Sequence, residues 1–301
     1  MSTPMTSYCG RVVIAGRPNV GKSTLMNHIL GMHLAATTSK PQTTRNRILG
    51  LHTEANYQMI FIDTPGIHDD KKRLLNRRLN KTAINTLVEG DVILFMIEAG
   101  RWEEDDRRVL KHLKETQVPV ILLVNKVDLV SDKETLLPFL QQVSAQYDFA
   151  EIVPMSVFRE KHIHRLIEQL KPYLPEGEFE YDPDDITDRS MRFVSSELIR
   201  EQLMQVLGQE LPYALAVEID AYEDTPKGIF IAATIFVARE GQRRIVIGNK
   251  GAMLKKVGSE ARQRISGLIG QPVHLKTWVK VKSGWLDNPR MLDRFSFDRE
   301  A

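Results

Sequence analysis

The chain has 301 residues, 42% of them apolar and 27% charged, a globular composition long enough for about two domains. A single cysteine, Cys9, excludes an intrachain disulfide and fits a reducing compartment. The longest apolar runs, VILFMI and VPVILLV, are strand length, far below the roughly 20 residues of a membrane span, and the net charge is only +2.

The first residues, MSTPMTSYCG, carry no basic stretch ahead of an apolar run, so no signal peptide is expected and a cytoplasmic protein is. Up to about residue 174, strand-like runs then alternate with helical patterns. Arg11–Ala15, Tyr57–Asp63, Val92–Glu98, Val118–Asn125 and Glu151–Met155 are predicted strands. Lys22–Leu30, Leu74–Leu87, Asp105–Glu115, Leu136–Gln146 and Ile163–Lys171 are predicted helices. This order predicts an α/β domain over residues 1–174: a mostly parallel sheet with helices on both faces, binding its ligand at the carboxyl ends of the strands.

Leu174–Asp188, LPEGEFEYDPDDITD, has two prolines, seven acidic residues and no sustained apolar period. It predicts an acidic linker at 175–188. A second domain is expected over 189–301. Its predicted order is helix (Arg192–Leu207, ended by Gly208), strands (Tyr213–Tyr222 and Ile229–Arg239), helices (Gln242–Ile247 and Ala252–Leu268) and strand (Val273–Lys282).

GRPNVGKST, Gly16–Thr24, matches the phosphate-loop pattern G-x-x-x-x-G-K-[ST] and lies between a predicted strand and helix. Gly16 and Gly21 allow turn angles that side chains forbid, so consecutive N–H groups of the loop form an anion cradle, and Gly16, Arg17, Pro18, Asn19, Val20, Gly21, Lys22, Ser23 and Thr24 are its candidate nucleotide-binding residues. The helix N-terminus adds its dipole and Lys22 a full positive charge. The Ser23 hydroxyl is a candidate Mg²⁺ ligand. The loop signals a nucleoside triphosphate but names no base.

NKVD (Asn125, Lys126, Val127, Asp128) names it. The Asp128 carboxylate is suited to accept from guanine N1–H and the exocyclic amine, groups that adenine lacks. DTPG ends a predicted strand. There Asp63 is a candidate for the Mg²⁺ shell, and Gly66 for presenting its N–H to the terminal phosphate; Thr64, Pro65 and Ile67 complete the segment. In QTTRNR, Gln42–Arg47, Thr43 or Thr44 offers a hydroxyl to Mg²⁺, and Thr44 is the favoured one. These four stretches resemble the translation-factor-related GTPases over residues 8–174. The resemblance implies that a fifth motif touches guanine through backbone; here it reads Ser156–Val157, with valine in place of the usual alanine. It also implies that Asn19 helps bind K⁺ near the phosphates.

Glutamine often follows D-x-x-G in GTPases and orients the attacking water. Here Ile67 and His68 follow Gly66, so slow intrinsic hydrolysis is expected. The candidate catalytic set is Lys22, Asn19, Thr44 and Gly66. Residues 38–50 and 66–80 are the expected switch loops. KKRLLNRRLNK, Lys71–Lys81, reads as a basic surface helix.

The second domain's G-x-x-G, Gly248, Asn249, Lys250 and Gly251, falls between two predicted helices flanked by strands. That order resembles the type II KH fold, whose G-x-x-G loop clamps about four unpaired nucleotides. Between Lys227 and Lys282 twelve basic residues face two acidic ones. Ile247, Lys255, Lys256, Arg262, Lys280 and Lys282 join the GNKG residues as the candidate RNA-binding set.

One family combines both units at this length, and GRPNVGKST, QTTR, DTPGI, NKVD, ITDRS, ELPY, VIGNKG and VKVKSGW resemble it nearly end to end: the Era GTPases. The resemblance implies GTP hydrolysis with Mg²⁺, binding near the 3′ end of small-subunit ribosomal RNA, assembly of the 30S-type subunit, and peripheral membrane association. A monomer is expected. The open alternatives are a membrane-signalling GTPase whose basic domain meets anionic lipid, a P-loop kinase or ATPase, and an RNA adaptor that no longer hydrolyses.

Overall fold

The computed structural model describes residues 6–38, 40, 43–67, 74–207 and 214–295. Gln42, His68, Lys71–Arg73, the ELPY stretch (210–213) and Gly208 lie outside the described residues. Contacts divide the chain into two compact units. The first comprises described residues within 1–32, 47–70 and 78–188, and the second those within 33–46, 71–77 and 189–301.

The first unit has a six-stranded sheet in the order β2-β3-β1-β4-β5-β6. The strands are β1 (Tyr8–Ala15), β2 (Ile48–Glu54), β3 (Tyr57–Asp63), β4 (Val92–Glu98), β5 (Val120–Asn125) and β6 (Glu151–Pro154). All pairings are parallel except β2 with β3. Helices α1 (Lys22–Leu30), α2 (Leu74–Thr86, whose residues 74–77 are grouped with the second unit), α3 (Glu104–Leu113), α4 (Leu136–Ser144) and α5 (Glu160–Leu170) alternate with the strands. The central strands are apolar without alternation because both faces are covered: Val12–Ile14, Ile93–Ile97 and Ile121–Val124 are 0% exposed.

β2 was not expected from the sequence. It follows the polar QTTRNR and pairs antiparallel at the sheet edge, a nonlocal arrangement its own composition does not announce. It also takes Ile48–Gly50 out of the expected switch loop 38–50. Gly50 is needed there, since a Cβ would lie 2.6 Å from Leu30 Cδ1 of α1.

The acidic stretch 175–188 is a strap on the first unit and not a free linker. The Cys9 N–H donates to Pro175 O at 3.1 Å, and the Leu51 N–H of β2 to Ile186 O at 2.8 Å. Gln58, fully buried, accepts from the Glu180 and Tyr181 N–H groups at 2.9 and 3.0 Å and donates to Tyr181 O at 2.9 Å. Phe179 and Tyr181 pack against the core. The strap satisfies backbone groups that an edge strand leaves unpaired, a role that asks for no apolar period in its sequence.

The second unit has a three-stranded sheet, β7 (Leu215–Thr225), β8 (Gly228–Val237) and β9 (Val273–Val281). β7 and β8 are antiparallel; β8 and β9 are parallel. α6 (Met191–Val206), α7 (Glu240–Ile247) and α8 (Ala252–Ile269) complete the expected order, and a short α9 (Pro289–Phe295) extends it. Ile231, Ala233, Ile235, Val257, Ala261 and Ile265 form the core between sheet and helices. Ser190 caps α6, its hydroxyl accepting from the Phe193 N–H. Among the described residues, no helix is long and apolar enough to cross a membrane.

Candidate functional site

The turn from β1 into α1 bends at three left-handed residues, Gly16 (φ 151°), Asn19 (φ 65°) and Gly21 (φ 112°). A Cβ on Gly16 would lie 2.4 Å from Met96 O, and one on Gly21 2.5 Å from Asn125 Nδ2, so both glycines are dictated by neighbours as well as by angle. Lys22 curls over the loop, its Nζ donating to Gly16 O and Arg17 O, both at 3.0 Å. Burial holds its ammonium down to about 8, against the pull of Asp63. A phosphate there would supply the missing counter-charge.

Arg17 is anchored below the loop. Its Nε donates to Asp106 of α3 at 3.2 Å, with Glu98 and Glu103 at 3.7 and 3.6 Å. Burial lifts Asp106 to about 6 even beside this guanidinium. The second P-loop position is therefore tied into an acidic cluster that spacing along the sequence does not reveal.

DTPG follows β3, which is hydrogen-bonded directly to β1. The Ser23 hydroxyl donates to Asp63 Oδ2 at 2.5 Å, so these two hard oxygen donors converge at the edge of the phosphate loop. That donor chemistry fits Mg²⁺, which keeps water and phosphate oxygens as its remaining ligands. Thr64 is buried and donates to Ile14 O at 2.9 Å. A Cβ on Gly66 would lie 2.7 Å from Pro18 N, so glycine lets this segment meet the loop. Ile67 is 5% exposed and belongs to the hydrophobic core, a position unsuited to handling water.

Asn125, 1% exposed, joins three motifs. Its Nδ2 donates to Val20 O at 2.8 Å, and its Oδ1 accepts from the Val157 N–H at 3.2 Å. The Ser156 N–H donates to His162 Nδ1 at 2.9 Å. Both backbone donors of the fifth motif thus have protein partners, and His162 is a participant that no sequence motif selects. Lys126 adopts φ 64° and pairs with Glu98 at 2.7 Å. Asp128 follows on an exposed single turn that starts at Val127.

Thr44 lies in the second unit, whereas Ser23 and Asp63 lie in the first. The segment carrying it is no free loop. The Arg200 guanidinium, paired with Glu197 on α6, donates to Thr43 O at 2.5 Å, and Arg45 donates to Leu215 O at 2.6 Å. Glu201, fully buried on α6, accepts from the Thr37 N–H at 3.1 Å and contacts His33 and Arg264.

The GNKG turn joins α7 to α8. Gly248 (φ 73°), Lys250 (φ 49°) and Gly251 (φ 80°) are all left-handed, and Asn249 and Lys250 are exposed at its tip. Ile247 is half-buried beside it, Ile245 on α7 is 51% exposed, and Lys255, Lys256 and Arg262 of α8 are exposed. Ile245, an apolar residue in a basic helix, was missed because it lies outside the G-x-x-G pattern. Lys280 departs from the expected grouping. Strand alternation turns Val279 toward the helices and Lys280 to the opposite face, and Lys282 follows the end of β9.

Sheet order, phosphate loop, guanine-type NKVD and the helix–GNKG–helix turn define a P-loop GTPase joined to a KH domain. A family model described as a 50S ribosome-binding GTPase matches residues 11–126, and a KH domain model matches residues 210–286. GTPase Era of Glaesserella parasuis serovar 5 (strain SH0165) is 47% identical over 291 residues, 96% of this chain and 97% of that protein. GTPase Era of Yersinia pestis (strain Pestoides F) is 46% identical, covering 97% of each. Among solved structures, a point variant of Aquifex aeolicus Era bound to GDP·AlF4⁻ superposes with a TM-score of 0.92 at 36% identity, covering 96% of this chain and 98% of that one. Era in complex with MgGDPNP and nucleotides 1506–1542 of 16S ribosomal RNA also gives 0.92, at 37% identity and the same coverage. The chain belongs to the Era GTPase family. It is a GTPase.

Proposed function

We propose that the chain is a GTP-hydrolysing switch that binds small-subunit ribosomal RNA near its 3′ end through its KH domain and assists assembly of the small ribosomal subunit. The observation that carries this reading is the GNKG backbone, left-handed at Gly248, Lys250 and Gly251, on a domain joined to a GTPase domain. The relative solved with 16S nucleotides supports the choice of RNA. GTP and GDP are the nucleotide partners, the cytoplasm is the site of action, and the working form is a monomer.

In this reading the loop residues Gly16 to Thr24 cradle the phosphates and Lys22 meets the outer ones. Ser23 and Asp63 would hold Mg²⁺, which would neutralise charge developing on the phosphates. Gly66 offers its N–H to the terminal phosphate, and Thr64, Pro65 and Ile67 shape its approach. Asn125, Lys126 and Val127 build the base pocket with Ser156 and Val157, and Asp128 reads guanine. No residue of the glutamine type follows Gly66, so intrinsic hydrolysis is slow.

Asn19, exposed and left-handed, is placed on the loop where K⁺ would complement the phosphates. Hydrolysis should then run at least about tenfold faster in K⁺ than in Na⁺ buffer. Asn19→Ala should erase that difference while leaving the Na⁺ rate in place. Equal rates in both salts would remove K⁺ from the mechanism.

Gly251→Asp is the test of the RNA clamp. A Cβ at Gly251 meets nothing within 4 Å, so the variant adds charge and angular strain but no clash. Binding of a single-stranded 3′-end oligonucleotide should fall at least about 30-fold, because the carboxylate repels the phosphates the turn would grip. GTP binding should be unchanged. Undiminished RNA affinity would show that GNKG is not the clamp. Liposome flotation with and without competing RNA separates this reading from a lipid-binding one.

A further inference from the structure

The second unit's sheet has two faces, and GNKG uses only one. On β9 the odd residues Val273 and Val279 are buried, while the even residues His274, Lys276, Trp278 and Lys280 are all exposed on the face turned away from α7 and α8. One end of that outer face is roofed: Phe236 packs on Phe295 with ring centroids 5.0 Å apart, and Trp285 meets Phe295 at 5.2 Å. The other end is open. There Trp278, the largest apolar side chain of the strand, is 48% exposed, and Lys276 Nζ lies 5.6 Å over the ring of Phe230.

The charge on this face is divided by strand. The β9 edge presents His274 and Lys276 at the roughly 6.6 Å spacing of alternate strand residues, and Lys280 about 13 Å beyond Lys276 with Trp278 between them. The far strand, β7, is acidic: Glu218 pairs with Arg294 at 2.8 Å, Asp220 accepts from Thr234 at 2.7 Å, and Glu223 and Asp224 are exposed. A polyanion is therefore attracted to the β9 edge and repelled from β7, which confines it to a track along one strand. Cations on both sides of an exposed indole are the combination that holds single-stranded nucleic acid: the ring stacks a base, and the ammonium groups meet the phosphates on either side. A protein partner would be served by an apolar patch, and β9 offers one aromatic among charges.

We propose that the outer face of β9, with Trp278 as a base-stacking platform between Lys276 and Lys280, is a second RNA-contact surface on the opposite side of the sheet from the GNKG clamp. It takes an unpaired stretch of the same RNA beyond the roughly four nucleotides a KH clamp holds. This rests on the reading of the domain as RNA-binding.

The test uses the full chain and two single-stranded 3′-end ribosomal RNA oligonucleotides, of about six and about sixteen nucleotides. Trp278→Ala should weaken the long oligonucleotide about tenfold and leave the short one unchanged, and Trp278→Phe should restore most of the loss. Lys276→Ala with Lys280→Ala should flatten the salt dependence of long-RNA binding by about one unit of log–log slope. If Trp278→Ala leaves long-RNA affinity unchanged while Gly251→Asp abolishes it, the second surface is refuted and the clamp stands. If Gly251→Asp spares both oligonucleotides, the RNA reading of the domain itself fails. If Trp278→Ala instead dissociates a self-associated form in sedimentation, the face is a protein contact and the proposal is overturned.

Discussion

Lys22→Met should abolish tight GTP binding while leaving the free protein at least as stable as the wild type. The ammonium is buried, and it donates to Gly16 O and Arg17 O of its own loop. Removing a buried charge from its phosphate partner costs on the order of 2–5 kcal/mol, roughly 30- to 3,000-fold in affinity. In the free protein the balance is reversed. A lysine whose ammonium is held at about 8 against an ordinary 10.5 binds fewer protons when folded than when unfolded between those values. Stability therefore rises with pH across that window, and below pH 8 the buried charge is a full cost to the fold. Methionine keeps the stem's packing and removes the charge. Its melting temperature should equal or exceed that of the wild type at pH 7, and the difference should shrink toward pH 10. Wild-type GTP affinity should decline as pH rises above about 8. A variant that melts well below wild type at pH 7 would show that Lys22 is structural.

Asp128→Asn should exchange guanine for xanthine. The carboxylate accepts two hydrogen bonds from guanine in the proposed site, each worth roughly 1.5–3 kcal/mol because the acceptor is charged. Asparagine keeps one acceptor and adds donors, so it opposes guanine and complements the extra carbonyl of xanthine. GTP affinity should fall about 10²- to 10⁴-fold, and xanthosine triphosphate should recover most of it. Because Asp128 is exposed on its turn, the substitution should not move the melting temperature. An unchanged preference for GTP would place base recognition elsewhere.

The contrast between Asp128 and Asn125 shows why only part of this site could be read in advance. Both belong to NKVD, a motif that assigns both to the nucleotide. Asn125 is buried and ties Val20 to Val157, so its side-chain bonds hold the pocket together. A four-residue motif does not tell which of its members faces the ligand and which faces the protein. Asp106 goes unselected for the same reason, since it acts across the fold on Arg17, and His162, although close to Ser156 in the chain, belongs to no motif pattern.

What the sequence determined by itself is the set of local devices. Glycines at 16, 21, 248 and 251 encode left-handed backbone, apolar runs bounded by turn residues encode the parallel strands, and a lysine and serine at a helix start encode an anion site. Each depends on a few consecutive residues, so each was legible without the fold. Four outcomes came from tertiary structure alone: the antiparallel edge strand Ile48–Glu54, the acidic strap bound by Gln58, the membership of the described residues within 33–46 in the second unit, and the face taken by Lys280. These depend on pairing between distant segments. A strap or edge strand satisfies its partner's backbone N–H and C=O groups, and since every residue but proline carries both, no side-chain pattern records that choice.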